Sequence, residues 1–309
     1  MEKNLLTSRQ RIIRELKDHW ILYVMVIPVI VYFLVFCYYP MYGATLAFKD
    51  YKIKLGIMGS PWKGLKHFRR FFNSANFTKI LGNTLGISLY SLAVGFPIPI
   101  IFALLLNYVR QKRFKKVVQM VSYAPHFIST VVICSMVSLF CSPRGGAINL
   151  VLNLFGHESI DFLAKGKFFK TLYVISGVWQ QMGWNAIIYL AALSGVDQEM
   201  HEAAIVDGAT LLQRILRIDL PSITPTIVML LILRLGSLMS VGFEKVFLLQ
   251  NSLNYDASEI ISTYVYKVGL IDLDYSFSTA VGLFNSVINV IILVSANTFS
   301  KKVLKESLW

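Results

Sequence analysis

EMHEAAIVDGATLLQRILRIDLP, residues 199–221, is the longest polar interruption in the hydrophobic second half of the chain. The alanines and isoleucine before Gly208 favour a helix, and Gly208 itself permits a sharp turn. From Leu211 to Leu216, apolar residues recur at helical spacing, which predicts a second, amphipathic helix. We therefore expect two helices joined at a glycine corner, a compact unit suited to docking into another protein.

The composition indicates a membrane protein. Of the 309 residues, 55% are hydrophobic and 15% are charged, and the mean hydropathy is +0.59. Soluble domains are nearer a quarter charged. The net charge of +13 lies in loops beside apolar runs, where anionic lipid headgroups are the expected partner and nucleic acid is not. Cys37, Cys134 and Cys141 form neither a disulfide framework nor a metal pattern, and we interpret them as small packing residues.

Six apolar segments are long enough to cross a membrane. We place the spans at about 20–41, 83–107, 118–141, 171–193, 220–249 and 277–299. Residues 20–299 then form one all-α transmembrane domain, preceded by a segment at 1–19 and followed by a tail at 300–309. Pro97 and Pro99 predict a bend or break in the second span, and the fifth is long enough to tilt strongly or to break near Gly242.

The orientation of the chain in the membrane is predicted from the short loop RQKRFKK, residues 110–116, which holds five basic residues in seven. Short basic loops stay in the cytoplasm. Six spans then place both termini in the cytoplasm, together with residues 199–221. The loop at 42–81 carries more basic residues than this rule favours for an outside segment.

Residues 199–221 resemble the EAA loop of ABC-transporter permeases. The matching residues are Glu202, Ala203, Ala204, Asp207, Gly208, Ala209, Leu220 and Pro221. In that family the loop is cytoplasmic, and its short coupling helix sits in a groove of the ATP-hydrolysing subunit. By its chemistry, Glu202 either binds that subunit through charge-assisted hydrogen bonds or caps a helix N-terminus, and the sequence leaves both open.

The resemblance extends over nearly the whole chain. FKDYK (48–52), GSPWKGLKHF (59–68) and the last span are similar to the sugar-importer branch, in particular the permeases for polysaccharides and complex oligosaccharides. It implies a bacterial cell-membrane importer with a second homologous permease, two ABC ATPase subunits and an extracytoplasmic solute-binding protein. This sequence has no nucleotide-binding motif, so ATP and Mg would be bound by the ATPase partners. We expect a transport subunit, not an enzyme, with no catalytic or metal-binding residues.

Polar and aromatic residues within the spans are the candidates for the substrate path, because sugars present hydroxyl groups and C–H faces. They are Gln181, Trp184, Asn185 and Tyr189 in the fourth span, Phe243 and Glu244 in the fifth, and Asn285 and Asn289 in the sixth. The four in the fourth span fall near one helical face. Helix–helix hydrogen bonding is the alternative, and it is favoured for Asn289. On a continuous helix, Arg234 and Glu244 would lie roughly 15 Å apart, too far to pair directly.

The alternative function is an ion-gradient-driven secondary transporter. Such a protein would be expected to show inverted repeats, paired broken helices or a chain of intramembrane carboxylates. The sequence shows no clear internal repeat, and Glu244 is almost alone as an intramembrane carboxylate. Dependence of uptake on ATP or on the proton gradient would distinguish the two functions.

Overall fold

The computed structural model describes residues 16–303 and 307–308, which are mostly helical. The helices are α1 (Trp20–Tyr32), α2 (Lys66–Phe72), α3 (Phe77–Gly95), α4 (Pro97–Asn107), α5 (Lys112–Tyr123), α6 (Thr130–Phe140), α7 (Ala147–Leu154), α8 (Gly166–Ser194), α9 (Gln198–Val206), α10 (Leu211–Arg214), α11 (Leu220–Gly236), α12 (Phe243–Leu249), α13 (Tyr255–Ser258), α14 (Ile261–Tyr266) and α15 (Tyr275–Val303). The all-α prediction is confirmed, since the one β pairing among the described residues is an isolated bridge between Lys49 and Trp62.

Shorter helical turns connect these elements. Wider π turns cover Phe33–Tyr38, Ile215–Asp219 and Lys267–Ile271; tighter 3-10 turns cover Tyr42–Phe48, Ile53–Leu55 and Ala124–Phe127; and single α turns cover Tyr39–Met41 and Gly56–Gly59. Most of the N-terminal segment predicted at 1–19, and part of the tail predicted at 300–309, lie outside the described residues.

Four helical segments of the described chain are long and apolar enough to cross a membrane: Trp20–Phe48, Phe77–Asn107, Leu211–Gly236 and Tyr275–Val303. The pair α5 and α6 would make a fifth. Helix α8 has 29 residues, as many as α15, but it has no stretch apolar enough to be counted among these segments. The count of six spans stays a prediction.

The third predicted span, at 118–141, is not one straight helix. The chain bends by 101° between the segment Lys112–Phe127 and the segment Thr130–Phe140. Pro125 lies in the 3-10 turn at the bend, where a proline cannot donate the next helical hydrogen bond. Gln180 on α8 donates to the carbonyl of Ile128 at 2.9 Å and so ties the bend to α8.

The fifth predicted span, at 220–249, is broken. Helix α11 ends at Gly236 and α12 begins at Phe243, so the break that the sequence suggested near Gly242 starts six residues earlier. Asn289 on α15 accepts the Met239 N–H at 2.9 Å, and its amide donates to Ser240 Oγ at 2.9 Å. Irregular backbone within a membrane needs such partners, and Asn289 has the helix–helix role that the sequence favoured.

Three apolar clusters hold the helices together. One joins α2, α3, α14 and α15, a second joins α4, α8 and α11, and a third joins α3, α6, α8 and α12. Cys134 and Cys141 are buried and free, as expected of packing residues, whereas Cys37 is exposed and packs against nothing in the described chain. Helices α3 and α8 each belong to two of the clusters, and α8, which also contacts α3, α4, α5, α6, α11 and α13, is the central element of the fold.

Candidate functional site

Helix α9 begins with a local cap. The carboxylate of Asp197 accepts the backbone N–H of Glu199 at 2.9 Å, so Asp197 occupies the capping position. Glu202 lies in the middle of α9 and is exposed. The structure thus rules out the helix cap as the role of Glu202 and leaves its carboxylate facing solvent.

The corner after α9 is a Schellman motif. The N–H of Gly208 donates to the carbonyl of Ile205 at 3.0 Å, and the N–H of Ala209 donates to the carbonyl of Ala204 at 2.8 Å. Gly208 has a φ of +76°, in the left-handed region that favours glycine. The predicted glycine corner is therefore present at Gly208.

A capping box starts the second helix. The side chain of Thr210 accepts the Gln213 N–H at 3.3 Å, and the side chain of Gln213 accepts the Thr210 N–H at 2.7 Å. The chain then passes through the π turn Ile215–Asp219 into α11 without a break. Pro221 lies at the start of α11 and does not end the helix.

We call residues 197–221 the coupling knob, and its outer surface is apolar. Among its matching residues, Glu202, Ala203, Asp207, Gly208 and Pro221 are exposed, and Ala204, Ala209 and Leu220 are half-buried. Its exposed large apolar side chains are Met200, Ile205, Val206, Leu211, Leu212 and Leu216. Several exposed large apolar side chains on one short segment are typical of a protein-binding surface.

A cavity of about 470 Å³ lies at the break between α11 and α12. Helices α3 and α8, the end of α11 and the start of α12 form its walls, with Thr130 of α6 at one edge. Its polar lining residues are Ser88, Ser91, Thr130, Tyr173, Gln180, Gln181, Asn185, Arg234, Ser237, Ser240, Glu244 and Lys245. We call this space the polar cavity.

The polar cavity contains two cationic side chains and one carboxylate. Arg234, Glu244 and Lys245 all line it, because the break between α11 and α12 ends the straight helix that the sequence estimate assumed. Lys245 is 8% exposed; its ammonium donates to the carbonyl of Tyr173 at 2.9 Å and lies 4.9 Å from the centre of the Tyr173 ring.

A second, more open cavity of about 310 Å³ lies between α12, α14 and α15. It is lined by Phe243, Ile261, Ser262, Val265, Tyr266, Gly282 and Asn285. The rings of Phe243 and Tyr266 are 5.1 Å apart between their centres. Ser262 Oγ and Asn285 Oδ1 are buried without a hydrogen-bond partner in the described chain, so this cavity offers both an aromatic face and polar atoms.

Comparison with known proteins identifies the family. Residues 95–305 match the family described as the binding-protein-dependent transport system inner membrane component.

The chain belongs to this family.

Close relatives cover the permease almost end to end. The polygalacturonan/rhamnogalacturonan transport system permease protein YteP of Bacillus subtilis (strain 168) is 44% identical over 302 residues, 98% of this chain and 94% of the relative. Protein LplB of the same organism is 45% identical over 294 residues, 95% and 92% of the two chains. A solved chain of a bacterial alginate ABC transporter, in complex with an alginate pentasaccharide-bound periplasmic protein, is 40% identical with a TM-score of 0.88, covering 96% of this chain and 99% of that one.

The family assignment confirms several expectations from the sequence. The chain is a membrane-embedded permease component of an ABC importer, and it is a transport subunit and not an enzyme. Its helical fold is the fold of a solved importer permease. The expectation of no metal-binding residues stays a prediction; among residues 16–303 and 307–308, no group of three or more histidine, cysteine, aspartate or glutamate side chains is placed to hold a metal ion.

The structure separates the candidate substrate-path residues into three groups. Gln181, Asn185 and Glu244 line the polar cavity, and Phe243 and Asn285 line the second cavity. The remaining three, Trp184, Tyr189 and Asn289, line neither of the two.

Trp184 and Tyr189 do not line the polar cavity with Gln181 and Asn185, although Trp184 and Gln181 share His126 as a neighbour, whose Nδ1 lies 2.8 Å from Gln181 Oε1. Trp184 stacks on the ring of His126, with ring centres 4.2 Å apart and planes 3° apart. Tyr189 is 3% exposed in the apolar cluster of α4, α8 and α11. Both side chains pack against neighbouring segments of the chain. A projection of α8 alone cannot show these contacts.

Two charged lining residues were not among the sequence candidates. Arg234 and Lys245 were noted as charges of the fifth span, but a continuous helix gave no reason to bring them together. The signal for them was the run from Gly236 to Gly242, whose two glycines and two serines weaken a helix.

Proposed function

We propose that this permease carries oligosaccharides or polysaccharide fragments across a bacterial cell membrane in an ATP-driven importer. The observation that carries this proposal is the polar cavity at the break between α11 and α12. Hydroxyl, amide and charged side chains at membrane depth mark a substrate path. Gln181 and Asn185 lie one helical turn apart on α8. Asn185 presents an amide that can donate to and accept from sugar hydroxyls, while Gln181, whose Oε1 lies 2.8 Å from His126 Nδ1, presents its amide N–H groups as donors.

The charges of the cavity favour an acidic glycan. Arg234 and Lys245 give it two cationic groups against the single carboxylate of Glu244. A guanidinium binds a carboxylate through two parallel hydrogen bonds, so Arg234 suits a uronate unit. The relatives support the same substrate class, since one is named for polygalacturonan and rhamnogalacturonan and another is described as importing the acidic polysaccharide alginate.

The second cavity extends the proposed path. Phe243 offers a ring to the C–H face of a sugar, and Asn285 offers a buried carbonyl oxygen that has no partner in the described chain. Because Phe243 and Glu244 are neighbours at the start of α12, one segment contributes to both cavities.

The coupling knob is the proposed contact with the ATPase. Its exposed apolar side chains would fill a groove of the ATPase, and Glu202 would accept charge-assisted hydrogen bonds from it. Two ATPase subunits would bind ATP and Mg and displace the coupling knob. A second, homologous permease would complete the pathway, and an extracytoplasmic solute-binding protein would deliver the glycan.

The proposed orientation has both termini and the coupling knob in the cytoplasm. The outer loop at 42–81 then carries eight basic residues and one acidic residue on the side from which substrate arrives. Electrostatic attraction by this loop would raise the local concentration of an acidic glycan.

Purification from gently solubilised membranes and reconstitution into vesicles test the proposal. The expected result is co-purification with a second permease-sized protein and an ATPase, and uptake of uronate oligosaccharides that requires internal ATP. Uptake that follows an imposed proton gradient without ATP would contradict the proposal and favour a secondary transporter. A matched panel of uronate and neutral oligosaccharides of equal length separates the substrate class from the transport mechanism.

A further inference from the structure

One carboxylate is fully buried where the coupling knob meets the membrane helices. Asp219, the last residue of the π turn before α11, has 0% exposure. The hydroxyl of Tyr108, directly after α4, donates to its Oδ2 at 2.6 Å. Nε2 of His201 on α9 lies 3.2 Å from its Oδ1. A single side chain thus joins its own segment to two others, the end of α4 and α9.

The aromatic and cationic neighbours fix the geometry further. The rings of Tyr108 and His201 meet edge-on, with centres 6.3 Å apart. The guanidinium of Arg214 lies 5.4 Å from the centre of the Tyr108 ring. Burial, and then the hydrogen bond to Asp219, raise the pKa of Tyr108 to about 12. The phenol therefore keeps its proton at physiological pH and remains a donor to the carboxylate.

This contact is the polar connection between α9 and the rest of the fold. Within the described chain, His201 is the α9 residue whose side chain reaches a charged group of another helical element, at an ion-pair distance of 3.2 Å and without hydrogen-bond geometry. The apolar side chains of α9 at Met200, Ile205 and Val206 are exposed and add no packing against the body. The position of α9 relative to the membrane helices therefore depends on Asp219.

The helices that Asp219 and Tyr108 connect lead to the walls of the polar cavity. Asp219 leads directly into α11, which ends near Arg234 on one wall. Tyr108 follows α4, which continues from α3, and α3 contributes Ser88 and Ser91 to the opposite wall. Helices α4 and α9 are about 90 residues apart in sequence, so the chain itself does not transmit movement between them.

We propose that Tyr108, His201 and Asp219 form a coupling latch, which makes a displacement of α9 move α4 and α11 together. The three are positioning residues and bind neither ATP nor glycan. The inference rests on the proposed function, since it assumes that an ATPase displaces α9. It adds that the displacement of α9 reaches the polar cavity through two helices. Helix α11 is joined to the coupling knob by the chain, and α4 is joined to it by the buried contacts of Tyr108 and His201 with Asp219.

The test uses the complete importer in vesicles, with Tyr108→Phe as the main variant. This change removes the donor to Asp219 and keeps the ring. We expect the ATPase to stay bound and the glycan transported per ATP hydrolysed to fall about tenfold, the order expected for a lost hydrogen bond to a charged group. Tyr90→Phe is the matched control, because the Tyr90 hydroxyl on α3 makes no hydrogen bond in the described chain and its loss should leave the ratio unchanged.

Asp219→Asn provides a second, isosteric variant that still accepts from Tyr108 and loses the charge next to His201. If the latch acts as a unit, the double variant with Tyr108→Phe lowers the transport-to-ATP ratio by less than the product of the single effects. A normal ratio in both single variants would overturn the latch and leave the importer assignment intact. A wild-type complex without ATP-driven uptake would overturn the proposed function, and the latch with it.

Discussion

The coupling knob and the polar cavity are built in opposite ways. The knob is a continuous run of about 25 residues, and each of its turns is closed by neighbours within five positions: Asp197 with Glu199, Gly208 with Ile205, Thr210 with Gln213. The cavity draws its lining from α3, α6, α8, α11 and α12, across about 160 residues of sequence. The knob presents apolar side chains outward, while the cavity gathers polar ones inward.

This difference assigns the two regions different tasks. A surface whose shape is set by local hydrogen bonds keeps that shape while it moves as a body, which suits the transfer of a displacement. A space bounded by broken helices changes shape when any of them moves, which suits alternating access to a substrate. Substitutions in the knob should therefore alter how much is transported, and substitutions in the cavity should alter what is transported.

The largest effect is expected for charge reversal in the knob. Glu202→Lys should lower ATP-driven uptake by about thirtyfold or more, because a mispaired charge at a docked interface costs roughly 2–5 kcal/mol. The preference among glycans should not change. Uptake in vesicles, with co-purification of the ATPase, measures both. Glu158→Lys, an exposed reversal in the predicted outer loop at 142–170, is the matched control. Normal uptake by Glu202→Lys would remove the knob from the coupling path.

A smaller effect is expected at the corner of the knob. Gly208→Val should lower uptake about tenfold, since a β-branched residue at φ +76° costs about 1–3 kcal/mol and distorts the Schellman motif. Gly208→Asn should retain most of the uptake, because asparagine tolerates the left-handed region. No side chain lies near Gly208, so a clash would not explain the difference. Equal uptake by the two variants would show that backbone shape is not what matters there.

The cavity should respond with changes in selectivity. Arg234→Gln should lower the uptake ratio of uronate to neutral oligosaccharides by about fivefold. This is the size of effect expected when one partly exposed ion pair with a uronate is lost. Glu244→Gln should raise the same ratio. Competition between a uronate oligomer and a neutral oligomer of equal length gives the ratio directly. A shift in the same direction for both variants would contradict charge selection in the cavity.

The smallest effect is expected at the helix break. Asn289→Ala removes the acceptor of the Met239 N–H and the donor to Ser240, and should lower the free energy of unfolding by about 1–2 kcal/mol. Thermal unfolding in detergent measures this loss. Uptake per ATP and glycan preference should stay within about twofold of wild type, since Asn289 lies outside both cavities. A large change in selectivity would place Asn289 on the substrate path instead.

The knob was predictable from the sequence because its turns are closed by hydrogen bonds between residues a few positions apart. The same local hydrogen bonds set its shape. Its glycine corner and helix pattern depend on residues a few positions apart, and the EAA resemblance rests on the same residues. The sequence did leave the role of Glu202 open, because the cap at Asp197 depends on a backbone conformation that composition alone does not reveal. The contacts of His201 and Tyr108 with Asp219 were missed, since they join segments about 20 and 110 residues apart.

The cavity was predictable only in part. The polarity of α8 singled out Gln181 and Asn185 correctly as lining residues, and it added Trp184 and Tyr189, which neighbouring helices occupy. Hydropathy placed the apolar runs, but it treats a run as straight. It did not show the 101° bend near Pro125, and it suggested a break only near Gly242, whereas α11 already ends at Gly236; the bend and the break decide which side chains share a space.

Helix α1 and the turns that follow it are exposed at every residue from Trp20 to Tyr42, whereas α15 has buried residues along its length. Such a segment contributes nothing to the internal packing of the chain, so its sequence is free from the constraints that shape the core. If lipid surrounds it, any apolar residue serves, and its sequence can drift. If the second permease packs along one side, a stripe of fixed side chains must persist at helical spacing. The pattern of tolerated substitutions along α1 would therefore record which neighbour this helix has.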